Sequence, residues 1–180
     1  MQFVILGWPE DGQTLRLDHE QFRYAGKFVM SNTGKVVARE QGELVGAIAF
    51  NEDRTDSASC WLRYVTVRDD RRGEAIGPRL AGGMRELLLN RGYDAVRIAV
   101  NNPFAYRALY KAGFCFTGRR TGLAELVLQA PCSKTDTTYR DGMAIFGERD
   151  LSDVEQRFLS SKRSRVPPDL IEVPKVVEPE

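Results

Sequence analysis

Apolar residues at Ile76, Leu80, Met84, Leu87 and Leu88 recur at helical spacing, predicting an amphipathic helix from Ile76 to the stop at Asn90-Arg91-Gly92. Gly82 and Gly83 inside it cost about 1 kcal/mol each against alanine, so the helix is expected to approach a sheet closely there. Val96, Ile98 and Val100 alternate with Ala95, Arg97 and Ala99 and predict a strand. A short helix follows, with Asn102 as its cap, Pro103 in its first turn and Gly113 as its stop. Upstream, Phe3 to Leu6 and Thr14 to Asp18 read as short extended pieces. Val36 to Arg39 and Leu44 to Phe50 flank a hairpin turn at Glu40-Gln41-Gly42-Glu43, and Cys60 to Val67 is a strand rich in aromatic and β-branched residues. His19 to Met30 fits helix or strand equally. Phe114 to Thr117 and Ala124 to Leu128 give two last strands joined through Arg119-Arg120-Thr121-Gly122.

After Gln129 the pattern changes. Pro131 to Thr138 reads as polar linker, and Ser152-Asp153-Val154-Glu155 is a capping box opening a short helix to about Lys162. Val166 to Glu180 reads as an extended proline-rich tail. The expected organisation is one domain over 1–130, then linker, short helix and tail over 131–180.

Composition narrows the partners. Lys and Arg number 26 against 25 Asp and Glu, too even a balance to attract nucleic acid or an anionic membrane non-specifically. No basic leader precedes the first apolar run and no segment is long enough to span a bilayer, so a cytoplasmic protein is expected. The three cysteines, Cys60, Cys115 and Cys132, match neither a zinc spacing nor a disulfide framework. Cys60 and Cys115 read as small buried hydrophobes, and no metal is expected.

The chemistry concentrates between Leu62 and Phe114. A strand runs through Arg72-Gly73-Glu74-Ala75-Ile76-Gly77 into a helix start. Such a junction gathers unpaired N–H groups at the positive end of a helix dipole, a seat for a phosphate or pyrophosphate. A Walker lysine is missing and the glycine spacing departs from the dinucleotide fingerprint, which disfavours those nucleotide-binding folds.

Val65-Thr66-Val67 to Gly77, with Asn102, Ala105 and Gly113-Phe114, resembles the GNAT acyltransferase superfamily, covering Leu44 to about Gln129. The resemblance implies an α+β fold, a mixed and mostly antiparallel sheet with helices on both faces, here with a short C-terminal extension. It implies acetyl-CoA as cosubstrate and an amine acceptor that attacks the thioester directly in a ternary complex. Val65, Thr66 and Val67 would pair with the pantetheine arm, and Arg72, Gly73, Glu74, Ala75, Ile76 and Gly77 would enclose the pyrophosphate. Asn102 would bond the pantetheine or its supporting loop, where two parallel strands splay. A tyrosine of the following helix would protonate the departing thiolate.

Three positions depart from that pattern. Ala75 stands at the first glycine, Pro78 removes an N–H, and Leu109 stands at the usual tyrosine. Tyr110, one residue on, and Tyr106, one turn earlier, are the acid candidates, though such a pair is also ordinary helix packing. The strand Cys60 to Val67 holds no carboxylate, which leaves Glu43, Glu52, Asp53, Asp69, Asp70 or His19 as candidate bases. These departures also fit a non-catalytic CoA-binding module with the same fold. Phe158 and Leu159 would cover a core edge or form a homodimer contact.

Overall fold

The computed structural model describes residues 1–178. Its elements run β1 (Gln2–Gly7), β2 (Gly34–Glu40), β3 (Glu43–Glu52), β4 (Ser59–Val67), α1 (Ile76–Asn90), β5 (Ala95–Val100), α2 (Pro103–Lys111), β6 (Cys115–Arg120), β7 (Leu126–Ala130), α3 (Asp136–Gly147) and α4 (Asp153–Ser160). This is the α+β, mostly antiparallel fold expected. The chain forms two compact units, one of Met1–Val96 with the described residues from Glu172 onward, the other of Arg97–Ile171.

In the first unit, β1, β2, β3 and β4 pair antiparallel in that order. The β2–β3 hairpin turns at Gln41 (φ 52°) and Gly42 (φ 85°), two left-handed residues whose twist suits a two-residue hairpin. Each strand alternates its side chains between the two faces of the sheet. On one face Gly46 lets α1 descend, so that a methyl group added there would meet Ile76 and Leu80 at 3.0 Å. The opposite face, with Val37, Ala47 and Ala49, is covered by Leu15 and Phe28. The covering segment is neither helix nor strand. From Thr14 to Asp18 it forms no strand, and His19 to Met30 is a series of turns around a 3₁₀ turn at Ala25–Lys27.

Gly83 serves a different purpose from the one expected. A Cβ there would press on the Pro174 carbonyl oxygen and Val176 at 2.9 Å, so the glycine admits the C-terminal tail and not a sheet. Val177 bridges Val4 in parallel, exchanging Ile5 N–H to Val177 O (2.9 Å) and Val177 N–H to Phe3 O (2.8 Å). The tail thereby satisfies backbone groups on the outer edge of β1. Residues 179 and 180 of the expected tail lie outside the described residues.

In the second unit the strand order is β5-β7-β6. The stretch expected as linker, Pro131 to Thr138, runs into α3, which buries Tyr139, Gly142, Met143 and Phe146. Thr135 caps it by accepting from Thr138 N–H. Ser152 and Glu155 form the expected capping box of α4.

Candidate functional site

The β4-to-α1 connection is built from backbone first. After Val67 the chain makes a 3₁₀ turn at Asp69–Arg71, and Arg72 is extended. Gly73 (φ 87°) and Ala75 (φ 59°) are both left-handed before α1 starts at Ile76. Gly73 adopts that conformation freely, whereas an L side chain at Ala75 resists it. No side chain caps α1 and its first turn has no acidic residue. Ile76 and Gly77 are first-turn donors without an intrahelical acceptor, Pro78 has no N–H, and Arg79 N–H already bonds Ala75 O at 3.1 Å. The result is a short cluster of donors at the positive end of a helix. A Cβ on Gly77 would lie 3.5 Å from Val67 and 3.8 Å from Val65, so this glycine seats the helix start directly on the end of β4.

Thr66 is buried on β4 opposite Ala47, and its hydroxyl has no hydrogen-bond partner among the described residues. A buried hydroxyl without a partner is costly, about 1–3 kcal/mol, and marks a position that a ligand could satisfy.

The charges around the loop are paired internally. Arg68 binds Glu43 (2.9 Å) and Asp70 (2.7 Å), Arg71 binds Glu40 (2.6 Å) and Glu74 (2.7 Å), and Arg72 binds Asp69. Three guanidinium groups thus face five carboxylates. Hydrogen bonds from Arg68 and Arg71 hold the carboxyls of Asp70 and Glu74 below the usual range. An arriving phosphate would have to draw Arg72 away from Asp69.

Asn102 caps α2, its Oδ1 accepting from Ala105 N–H at 2.8 Å, while its Nδ2 donates to Asn101 Oδ1 at 3.2 Å. Tyr106 and Tyr110 lie further along α2, both fully buried, with hydroxyls 3.3 Å apart. The Tyr106 hydroxyl lies 3.1 Å from the carbonyl oxygens of both Thr138 and Tyr139, and burial pushes its pKa far up. Tyr110 accepts from Phe116 N–H at 2.9 Å. Tyr139, Phe116 and Phe146 pack around Tyr106. The two hydroxyls thus tie α2 to α3 and to β6 by hydrogen bonds. Leu109 is buried beside them.

The candidate bases are likewise engaged. Glu43, Asp69 and Asp70 are in the ion pairs above, Glu52 accepts from the Tyr93 hydroxyl at 2.9 Å, and Asp53 accepts from Trp61 Nε1 at 2.5 Å. His19 is exposed.

Sequence reading missed two features. Lys35 is fully buried on β2, its ammonium donating to the carbonyls of Gln13 (2.8 Å), Met30 (2.8 Å) and Thr33 (2.6 Å) and to the Thr33 hydroxyl (2.8 Å). Burial lowers its pKa. The visible signal was a charge opening the apolar run Val36-Val37-Ala38. The second is a disulfide between Cys115 and Cys132, which corrects the reading of Cys115 as a free hydrophobe. Cys60 is free and buried, its thiol pushed up to about 12 by desolvation. Among the described residues no cluster of His, Cys, Asp or Glu could hold a metal ion, and no helix is long and apolar enough to cross a membrane.

A model of the acetyltransferase (GNAT) family matches residues 4–114. The chain belongs to that family. No curated protein matches it. Among solved structures it is similar to nourseothricin acetyltransferase at 23% identity, covering 56% of this chain and 66% of that one, with a TM-score of 0.48. An N-acetyltransferase from Staphylococcus aureus Mu50 is 16% identical over 54% of this chain and 66% of its own, TM-score 0.48. The paia N-acetyltransferase from Thermoplasma acidophilum, solved with coenzyme A, is 18% identical over 53% and 58%, TM-score 0.45. The chain thus spans less than two thirds of these relatives.

Proposed function

We propose that this protein is an N-acetyltransferase that takes the acetyl group of acetyl-CoA to an amine acceptor by direct attack in a ternary complex. The observation that carries the reading is the junction of β4 and α1. Two left-handed residues, Gly73 and Ala75, deliver the chain into an uncapped, acid-free helix start whose donors are free for a pyrophosphate. The residues proposed to hold the cosubstrate are Val65, Thr66 and Val67 for the pantetheine arm and Arg72 to Gly77 for the phosphates. Thr66 offers an unpartnered hydroxyl for the acyl end. Asn102 is proposed to contribute by fixing the start of α2 through its cap. The acetyltransferase core is proposed to lie within residues 1–130.

In this mechanism the acceptor nitrogen, as a neutral amine, attacks the thioester carbonyl and the thiolate leaves. No covalent enzyme intermediate is needed. Tyr106 and Tyr110 are assigned no step here, because both are buried, Tyr106 with its hydroxyl on the carbonyls of Thr138 and Tyr139 and Tyr110 with its oxygen accepting from Phe116 N–H. The acceptor proton leaves through water, since the candidate carboxylates are held in ion pairs or hydrogen bonds.

A second reading, a CoA-binding module without catalysis, is favoured by that same engagement of both tyrosines and of every candidate carboxylate. Calorimetric titration with CoA tests what the two share, and Gly77→Val tests where CoA binds. Binding that is lost in the variant supports the loop; no heat in the wild type sinks both readings. Acetyl transfer to a broad amine panel then separates them. Tight CoA binding with no transfer to any amine, and no slow acetyl-CoA hydrolysis, leaves the non-catalytic module.

A further inference from the structure

The Cys115–Cys132 disulfide opens into a hollow whose lining includes none of the residues proposed to hold acetyl-CoA. The hollow, about 310 Å³, is lined by both cysteines together with Thr117, Arg119, Gln129 and Thr138. The two sulfurs are unequal. Cys115 is 4% exposed at the start of β6, whereas Cys132 is exposed on the segment leading to α3. Arg119 is exposed and has no ion-pair partner among the described residues. A reachable disulfide sulfur, a recess beside it and an unpaired cation in the same wall are the parts of a site for an anionic thiol.

We propose that this disulfide is a thiol-exchange site for a small thiol bearing a carboxylate, the carboxylate bound by Arg119. The incoming thiolate attacks Cys132 Sγ, the exposed sulfur. A bond forms between them, the Cys132–Cys115 bond breaks, and the electron pair passes to Cys115 Sγ, which takes a proton from water. The incoming sulfur is oxidised into the mixed disulfide and Cys115 is reduced. A second equivalent of thiol attacks the carried sulfur, releases a small-molecule disulfide and leaves Cys132 as a thiol. Exchange removes the covalent tie between β6 and the segment that enters α3 at its cap, Thr135.

The test uses the full chain purified without reductant. One free thiol, Cys60, is expected on denaturation, and three would overturn the proposal. Exchange is then followed by alkylation quench, mass measurement and peptide mapping. Glutathione, neutral 2-mercaptoethanol and cationic cysteamine are compared at matched thiolate concentration. Glutathione should exceed 2-mercaptoethanol by about two- to fivefold, the size of a surface charge contact, with cysteamine slowest. The mixed disulfide should map to Cys132, and Arg119→Gln should remove the spread among thiols. Equal rates in the wild type, a mixed disulfide on Cys115, or an unchanged spread in Arg119→Gln would each overturn it. If that variant fails to fold, high salt should collapse the spread in the wild type, and a spread indifferent to salt would overturn the proposal. None of these readouts involves acetyl-CoA, so failure here is separable from failure of the acyltransfer reading.

Discussion

Tyr106 sets its hydroxyl end against the bare Cα of Gly142, leaving no room for a side chain on that residue. The contact joins α2 to α3, and the Tyr106 hydroxyl completes it through the carbonyls of Thr138 and Tyr139. Gly142→Ala must push the ring or the helix aside. It should lower stability by about 1–3 kcal/mol in denaturant unfolding, the usual penalty for overpacking. Tyr110→Phe should destabilise as well, by about 1–3 kcal/mol, because Phe116 N–H loses its buried acceptor. Acetyl-CoA turnover per folded molecule should stay within a few-fold of wild type in both. A loss at Tyr110→Phe of the order of 10²–10⁴, with acetyl-CoA affinity unchanged, would instead make Tyr110 the general acid.

Ala75 holds a left-handed conformation at φ 59°, where a Cβ is disfavoured by about 1–2 kcal/mol. Glycine removes that penalty but adds about 0.5–1 kcal/mol of chain freedom to the unfolded state. Ala75→Gly should therefore raise the melting temperature slightly and leave CoA affinity equal or tighter. Weaker CoA binding in a protein of undiminished stability would mean that the bound loop is not left-handed at this residue.

Arg72 spends its charge on Asp69. Asp69→Asn keeps the side chain's shape and frees the guanidinium for a phosphate, so CoA should bind about two- to fivefold more tightly in titration calorimetry. The gain should shrink as salt is added, because both partners are solvent-exposed. An unchanged affinity at low salt would show that Arg72 does not face the cosubstrate.

What the sequence revealed divides along a physical line. α1, α2 and the β2–β3 hairpin were legible because local signals set them: helical spacing from Ile76, the cap at Asn102, and the Gln41-Gly42 turn. The strand-to-helix junction from Arg72 to Gly77 was legible for the same reason, being written in consecutive residues. The bonds that commit Tyr106 and Tyr110 are 32, 33 and 6 residues away in the chain, and no local pattern reports them. α3 carried its own signal in Tyr139, Met143 and Phe146, spaced four and three apart, but the polar run Ser133 to Thr138 disguised its start. The segment from His19 to Met30 was ambiguous because it has no periodicity to find, and a side chain on β2 bonds the backbone on either side of it.

That side chain is Lys35. Its ammonium meets four oxygens, three of them main-chain carbonyls of the segment that covers Val37, Ala47 and Ala49. None of these partners is a carboxylate, so the lysine acts as a three-donor clasp for backbone and not as half of an ion pair. Lys35→Met conserves the stem but strands the carbonyls of Gln13, Met30 and Thr33. Two of the three contacts are only part-buried and can recruit water, so the loss in denaturant unfolding should be about 3 kcal/mol and not the full sum over three groups. Amide exchange should speed up from Gln13 to Thr33 while α1 stays protected. Lys35→Arg should not rescue it, because a planar guanidinium cannot converge its donors on so small a space. Wild-type exchange rates across that segment in Lys35→Met would show that Leu15 and Phe28 hold it in place by packing alone.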